Sequence, residues 1–393
     1  MTDRAPLRGI RVADFSRVLA GPYATMLLAD FGADVVKIES PEGDGTRQWS
    51  PPVDARGDAT YFAAVNRNKR SVVCDLATPE GRARAWELAT TADVVVENLR
   101  PGAMASFGLG ADALRSANPR LVTCAITGFG SGAGAALPGY DLLAQALGGL
   151  MSITGPADGE PAKAGVALVD VLAGMNAVTG ILLALRARDD PDGDGLGRHV
   201  EVDLLTGLLS ALTNQAAGTL ATGTPPARTG NAHPSIAPYA LFRTADRPIV
   251  LAVGTDRQFR TLVRLLGAPE LADDPRFAAN PDRVAHRDAL TAVLEERLVR
   301  ASAAHWTDVL ADAGVPAGPV HDIAEAFALA ERLGLPSVVE LAGEDGQAPS
   351  RSVANPIRLD RGGAAYRTPP PRLGEHADAA WLDPRPDPEG RTP

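Results

Sequence analysis

Asp170 stands inside a long apolar run, Lys163-Ala-Gly-Val-Ala-Leu-Val-Asp-Val-Leu-Ala-Gly-Met-Asn-Ala-Val-Thr-Gly-Ile-Leu-Leu-Ala-Leu. A carboxylate is costly to bury without a partner, so one placed here asks for a role. The stretch from Val171 to Leu185 reads as a helix that is apolar almost all round and therefore interior. Asp170 is expected at its N-cap, where free backbone N–H groups and the helix dipole favour the ionised form. A carboxylate held at a helix start in an apolar wall is placed to be a nucleophile. Position alone favours the plainer role of a cap, because Asp is a preferred cap residue. Other features of the chain decide between the two.

Cations are the second chemical resource. Lysine occurs only as Lys37, Lys69 and Lys163 in 393 residues, while arginine is abundant. Where arginine has replaced lysine almost everywhere, the survivors mark places where the two are not interchangeable. Lys69 lies in the polar run Asn66-Arg-Asn-Lys-Arg70. A third pattern, Asp190-Pro-Asp-Gly-Asp-Gly-Leu-Gly-Arg-His-Val-Glu201, fits the EF-hand calcium loop, with helical stretches on both sides. Gly197 stands where such loops place an apolar residue, and there is no second hand. The stretch reads as an acidic surface turn.

The elements that must position these residues alternate. Residues 9–16 read as a strand, Gly21-Pro22 opens a helix to about Phe31, and Asp34–Glu39 is a second strand. Ser71–Asp75, Asp93–Glu97 and Leu121–Thr127 are further strands. Helices are expected at Thr78–Thr91, with a Thr-Pro-Glu start, and at Ala111–Ala117. Such alternation specifies a doubly wound parallel sheet with its ligand site at the strand C-terminal ends. No G-x-G-x-x-G follows the first strand, so a dinucleotide site is not supported. Helices are expected near 141–150, 171–188 and 201–220. Residues 221–238 read as a linker. A second unit from Tyr239 has strands at 240–243 and 249–253 and helices at 257–266, 286–297 and 304–313. Strand-like pieces follow Glu340, before a Pro-rich tail over 368–393.

Composition narrows the function classes. A net charge of −10 argues against generic nucleic-acid binding and against an anionic membrane surface. Cys74 and Cys124, the only cysteines, sit in apolar runs and imply no disulfide framework. The N-terminus lacks an apolar signal core, and the most apolar stretch carries Asp170 and Asn176, so neither secretion nor membrane insertion is expected. A cytoplasmic setting is the simplest expectation.

Several ordered motifs carry a family resemblance. Arg17-Val-Leu-Ala-Gly-Pro-Tyr, Gly32-Ala-Asp-Val-Val-Lys-Ile-Glu, Asn66-Arg-Asn-Lys-Arg-Ser, Glu97-Asn-Leu-Arg-Pro-Gly, Gly139-Tyr-Asp-Leu-Leu-Ala-Gln-Ala, the Asp170 segment and Gly314-Val-Pro-Ala-Gly-Pro-Val resemble the class III CoA-transferases, the CaiB/BaiF family. The resemblance runs from Leu7 to about Gly374. It implies an α/β fold: a Rossmann-like large domain over 1–220, a linker over 221–238 and a small α+β domain over 239–330. A return segment and Pro-rich tail over 331–393 would pack on the large domain. It further implies an interlocked homodimer.

The resemblance makes Asp170 the nucleophile of CoA transfer and Tyr140 an active-site tyrosine. It places Asn66, Lys69, Arg70, Asn98 and Leu99 along the CoA channel, with Lys69 and Arg70 as phosphate partners. No tightly bound cofactor or metal is implied; coenzyme A is the substrate and carrier, and the partners are an acyl-CoA and a carboxylic acid. Formyl-CoA:oxalate transferases carry a glutamine at Leu19, an arginine near Ser40, a lysine near Pro138 and a glycine-rich loop at Asn231-Ala-His-Pro-Ser, so formate–oxalate exchange is not expected. The fuller resemblance is to succinate–hydroxymethylglutarate CoA-transferases, including the segment around His233. A dicarboxylic acyl-CoA such as succinyl-CoA follows, with Arg17 and Arg228 as candidates for its distal carboxylate. Two rivals remain. An alpha-methylacyl-CoA racemase needs a histidine where Tyr140 stands. A non-catalytic acyl-CoA binder has no need of the Asp170 segment.

Overall fold

The computed structural model describes residues 5–342 and 349–382. Its centre is a parallel sheet of six strands: β1 (Arg11–Asp14), β2 (Asp34–Glu39), β3 (Lys69–Val73), β4 (Val94–Glu97), β5 (Val122–Thr127) and β6 (His199–Asp203). Their spatial order is β3-β2-β1-β4-β5-β6. Successive side chains on a strand face opposite sides, and the core divides accordingly. Val12, Val35, Val94 and Val96 pack with helices Ala20–Asp30 and Leu168–Arg188. Ala13, Val36 and Val95 pack on the other side with helix Pro79–Thr91. That helix starts as expected: Pro79 occupies the first turn and the Thr78 hydroxyl accepts the Gly81 N–H at 3.0 Å.

The order reverses direction between β1 and β4. In open sheets of this kind the ligand crevice lies at that switch, outside the strand C-terminal ends. A compact unit built on this sheet comprises Met1–Leu150, Ala164–Leu220 and Gly334–Pro393. Its returning segment pairs Val338–Leu341 antiparallel with Ser350–Val353. Buried Asp30 clasps it, taking both Arg67 prongs at 2.9 and 2.6 Å and the Asn355 amide at 3.0 Å. Arg67 in turn donates to the Val353 carbonyl at 2.9 Å.

A second compact unit comprises Met151–Lys163 and Ala221–Leu333. An antiparallel sheet of Tyr239–Phe242, Ile249–Ala252 and Ala317–Pro319 packs its inner face on Phe259, Leu262, Phe277 and Trp306. Residues 151–163, expected in the large domain, thus group with the second unit, and so does the expected linker 221–238.

Four expectations require correction. Residues 199–203 form edge strand β6; the helix expected from 201 begins only at Leu204, capped by Asp203. The calcium-like loop therefore ends in a strand rather than a helix, and its Asp190 and Asp194 pair with Arg186 and Arg198, each at 2.8 Å. The helix expected near 141–150 stops at Leu147, because Gly149 takes φ +86°. Helix Ile323–Arg332 was not foreseen. Helix Leu168–Arg188 is long and apolar enough to cross a membrane by length and composition; its Ala173, Ala177, Ile181 and Leu185 pack in the core of the sheet unit. The expected pieces and tail over 343–348 and 383–393 lie outside the described residues.

Candidate active site

Asp170 is not the cap of its helix. Ala167 holds the N-cap position and its side chain makes no capping bond, so Asp170 falls in the first turn. The capping comes from another helix. Asp141 opens helix Asp141–Leu147, and its Oδ1 accepts the backbone N–H of Val169 at 2.8 Å and of Asp170 at 3.2 Å. A carboxylate from outside thus satisfies two of the orphan donors that every helix start leaves. Gln145, one turn on, donates from Nε2 to Asp141 Oδ2 at 2.6 Å and accepts the Ala164 N–H at 2.8 Å.

One turn beyond Asp170, Gly174 fixes where the helix crosses. A Cβ there would lie 2.7 Å from the Ala20 carbonyl oxygen and 3.0 Å from the Tyr23 ring, so only glycine allows this approach. Ala20 begins the helix that follows β1. The crossing therefore carries Asp170 to the C-terminal edge of the sheet. There its ionised form is penalised. Burial pushes its carboxyl up to about 7, and the neighbouring Asp141 charge pushes in the same direction. Among the described residues no cation offsets either effect. The free-base form of such a group is unusually reactive for a carboxylate near neutral pH.

Tyr61 belongs to the same edge, although the sequence reading missed it. Burial raises its hydroxyl above the usual range, and Asp170, Asp141 and Asp44 add to that rise. Its ring stands edge-on to Trp49 with centroids 4.9 Å apart. Nothing in the spacing of Thr60-Tyr61-Phe62 marks it out, because it sits on a single helical turn reached through an irregular Pro-containing segment. Tyr140 immediately precedes Asp141 and is largely exposed, at 65%.

The crevice at the β1–β4 switch is held by polar knots. Asn98 accepts the Arg17 N–H at 2.7 Å and donates to the Arg17 carbonyl at 2.6 Å. Leu99 N–H is taken by Glu97 at 2.6 Å. Burial lifts the Glu97 carboxyl to about 7 against the opposing pull of that Leu99 bond. Val18, in the left-handed region at φ +68°, donates its N–H to the Asp44 carboxylate, with 3.2 Å to the nearer oxygen. Burial works against ionisation of Asp44. Lys37, at 3.0 Å, and the Thr46 bonds overcome it and hold that carboxyl at about 2. The loop after β1 is thereby rigid, and the Arg17 side chain projects from it exposed.

Three residues assigned to the CoA channel have their polar side-chain atoms engaged within the chain. Lys69 is fully buried and spends its three protons on Asp14 at 3.1 Å, the Pro22 carbonyl at 2.9 Å and Asn66 at 2.8 Å. Asn66 is equally buried, its amide donating to the Phe62 carbonyl. Burial lowers Lys69 to about 8 while Asp14 pulls it upward. Arg70 pairs with Asp34 at 2.6 Å and reaches the Ala380 carbonyl. Asp34 opens β2, so that guanidinium lies toward the strand edge opposite the crevice. Lys37 and Lys69 do answer the lysine reading: both are compact charges in dry interiors.

Arg228 and His233 belong to the second unit. Arg228 donates to the carbonyls of Pro156 at 3.2 Å and Gly159 at 2.8 Å. His233 accepts the Ser235 N–H at 3.1 Å, and its ring lies 5.2 Å from that of Tyr239. Among the described residues no cluster of three or more His, Cys, Asp or Glu side chains could hold a metal ion.

Known proteins resemble this chain over nearly its whole length. The model of the family described as CoA-transferase family III matches residues 7–377. A succinate–glutarate CoA-transferase from Agrobacterium fabrum is 43% identical over 387 residues, covering 96% of each chain. An acetyl-CoA:oxalate CoA-transferase from Acetobacter aceti is 44% identical over 82% of each. The crystal structure of a CaiB/BaiF family protein from Brucella suis, 42% identical, superposes with a TM-score of 0.84 over 95% of this chain and 98% of that one. With a family match over nearly its whole length and a parallel-sheet fold shared with a solved member, the chain belongs to the class III CoA-transferases, the CaiB/BaiF family.

Proposed function

We propose that this enzyme moves CoA between a dicarboxylic acyl-CoA, such as succinyl-CoA, and a free carboxylic acid through covalent intermediates on Asp170. The observation that carries the reading is a poorly solvated carboxylate with no neutralising cation among the described residues, fixed at a helix start over the C-terminal edge of the sheet. An Asp170 oxygen attacks the thioester carbonyl, the C–S bond breaks, and CoA leaves as thiolate with the bonding pair. The thiolate then attacks the Asp170 acyl carbon of the mixed anhydride and releases the donor acid, leaving an aspartyl-CoA thioester. The acceptor carboxylate attacks that thioester, expels the thiolate, and is attacked by it in turn, which restores Asp170. Splitting one exchange into such steps lowers each barrier. The anhydride survives only if water is kept out, a need met by the apolar flanks of Asp170.

The names of the relatives support dicarboxylate chemistry: succinate, glutarate and oxalate occur among them. Arg17 is the better placed of the two candidates for a distal carboxylate, since its main chain is pinned and its side chain is exposed. Oxalate belongs in the acceptor screen even though the residues of formyl-CoA:oxalate transferases are absent. The active species is a homodimer in this reading. Exposed Met175, Leu182 and Leu183 on the Asp170 helix, with Leu147 and Leu209 on neighbouring helices, form an apolar face suited to a second copy.

The test is to mix the protein with succinyl-CoA and a panel of mono- and dicarboxylates in deuterated water. New thioesters of acceptor acids, without deuterium at the alpha carbon, are expected. Deuterium uptake without a new thioester would make it a racemase. The pH dependence is a further expectation. Asp170 must be ionised to attack, so formation of the first intermediate should fall about tenfold per unit as pH drops below about 7. A rate flat from pH 8 to 5 in rapid-quench release of succinate from succinyl-CoA without acceptor would contradict this role.

A further inference from the structure

The start of the Asp170 helix is not held by its own sequence but by a relay from helix Asp141–Leu147. Gln145 is fully buried there. Its two amide atoms point two ways: Nε2 donates to Asp141 Oδ2 at 2.6 Å, and Oε1 accepts the N–H of Ala164, in the segment leading into the helix, at 2.8 Å. Asp141 turns its other oxygen to the N–H groups of Val169 and Asp170 at 2.8 and 3.2 Å. With one oxygen fastened by Gln145, Asp141 has a single orientation, and that orientation sets where the first helical turn begins. A side-chain amide can donate to a carboxylate from its nitrogen while accepting a backbone N–H at its oxygen. A glutamate of the same shape keeps the second bond and turns the first into a repulsion.

We propose that Gln145 is a positioning residue for CoA transfer: through Asp141 it fixes the first turn of the helix that carries Asp170. This rests on the reading of Asp170 as the nucleophile. A displacement of about 1 Å in a reacting group costs about a hundredfold in rate, so a loosened relay shows in chemistry before it shows in substrate affinity. The relay also keeps the Asp141 charge beside Asp170. The titratable groups facing Asp170 are Asp141 from its helix and Tyr61 from the Thr60–Ala63 turn. Tyr23, from the helix after β1, packs one turn further on against Gly174. Helix Leu204–Ala211, packed on the same face, has no titratable side chain.

The experiment measures the single-turnover rate of succinate release from succinyl-CoA without acceptor, across pH 5 to 9, for wild type, Gln145→Leu and Gln145→Glu. In wild type, quenching with hydroxylamine must modify Asp170; if that label falls elsewhere, the nucleophile reading fails before any variant is considered. Given that label, Gln145→Leu should lower the rate constant about thirtyfold while the half-saturating succinyl-CoA concentration stays within about twofold. Gln145→Glu should move the acid limb up by about one pH unit, because a second like charge beside Asp141 disfavours ionisation of Asp170. A merely structural glutamine would lower the melting temperature and leave the rate constant above the acid limb unmoved. That result overturns the proposal. Should Gln145→Leu fail to fold, the isosteric Gln145→Glu carries the test alone through its rate constant at the alkaline plateau: a value within about twofold of wild type overturns the proposal, and a loss of about tenfold or more supports it.

Discussion

Replacing Asp170 by asparagine should reduce CoA transfer at least about a thousandfold while making the protein more stable at alkaline pH. Both effects come from one feature. The carboxyl sits at about 7, raised by burial and by Asp141, against 3.8 for an ordinary aspartate. Between those values the folded chain holds a proton that the unfolded chain has released. Stability therefore falls as pH rises through this window, and the whole cost is present at pH 8. Asparagine cannot ionise and escapes the cost. The difference in unfolding free energy should be about 2 kcal/mol at pH 8, after allowance for the partial exposure of the group, and close to zero at pH 4. Urea titrations at the two pH values measure it. A variant that is inactive and destabilised at pH 8 would mean that the carboxylate holds the fold rather than performing chemistry at a cost to it.

The second large effect concerns the interior beneath the site. Lys69→Met should destabilise the protein by about 3–5 kcal/mol, because it leaves Asp14 buried and without its cation. Asp14 would retain the Ser16 N–H at 2.9 Å and the hydroxyls of Ser16 and of Thr25, the latter at 2.6 Å. The double variant Asp14→Asn/Lys69→Met should recover part of the loss, since neither charge then remains to be solvated. Equilibrium denaturation of the three proteins decides the matter. If Lys69→Met folded as stably as wild type but bound CoA more weakly, Lys69 would be a phosphate ligand after all.

The contrast between Lys69 and Asp170 shows what a sequence of this kind makes legible. Strand β2 and helix Ala111–Ala117 appear with the expected ends because their apolar periodicity and turn residues are local. Asp170 was legible because a charge in an apolar run is anomalous whatever the fold. Its capping was not. The donor–acceptor pairing of Asp141 with Val169 and Asp170 joins positions 28 and 29 residues apart, and no local pattern encodes it. The run Asn66–Arg70 looks like a solvated basic loop when only its neighbours are considered. Parallel pairing of β3 with β2, and the reach of Lys69 to Asp14 across 55 residues, turn it inward. Strand β6 was read as helix for a related reason. As an edge strand it carries His199, Glu201 and Asp203 between its valines, and so lacks the apolar run of the central strands.

The central claim is that Asp170 is the nucleophile that carries CoA between donor and acceptor, and one measurement addresses it directly. The enzyme is incubated with succinyl-CoA and no acceptor, quenched with hydroxylamine or borohydride, digested, and analysed by mass. The first half-reaction needs only the donor, so a covalent adduct should form at once. Hydroxylamine should leave a hydroxamate, and borohydride an alcohol, on the peptide spanning Ala164–Arg186, with Asp170 as the modified residue. Transfer of CoA to an added acid with no label on Asp170 under either trap would contradict the account and point to direct exchange in a ternary complex.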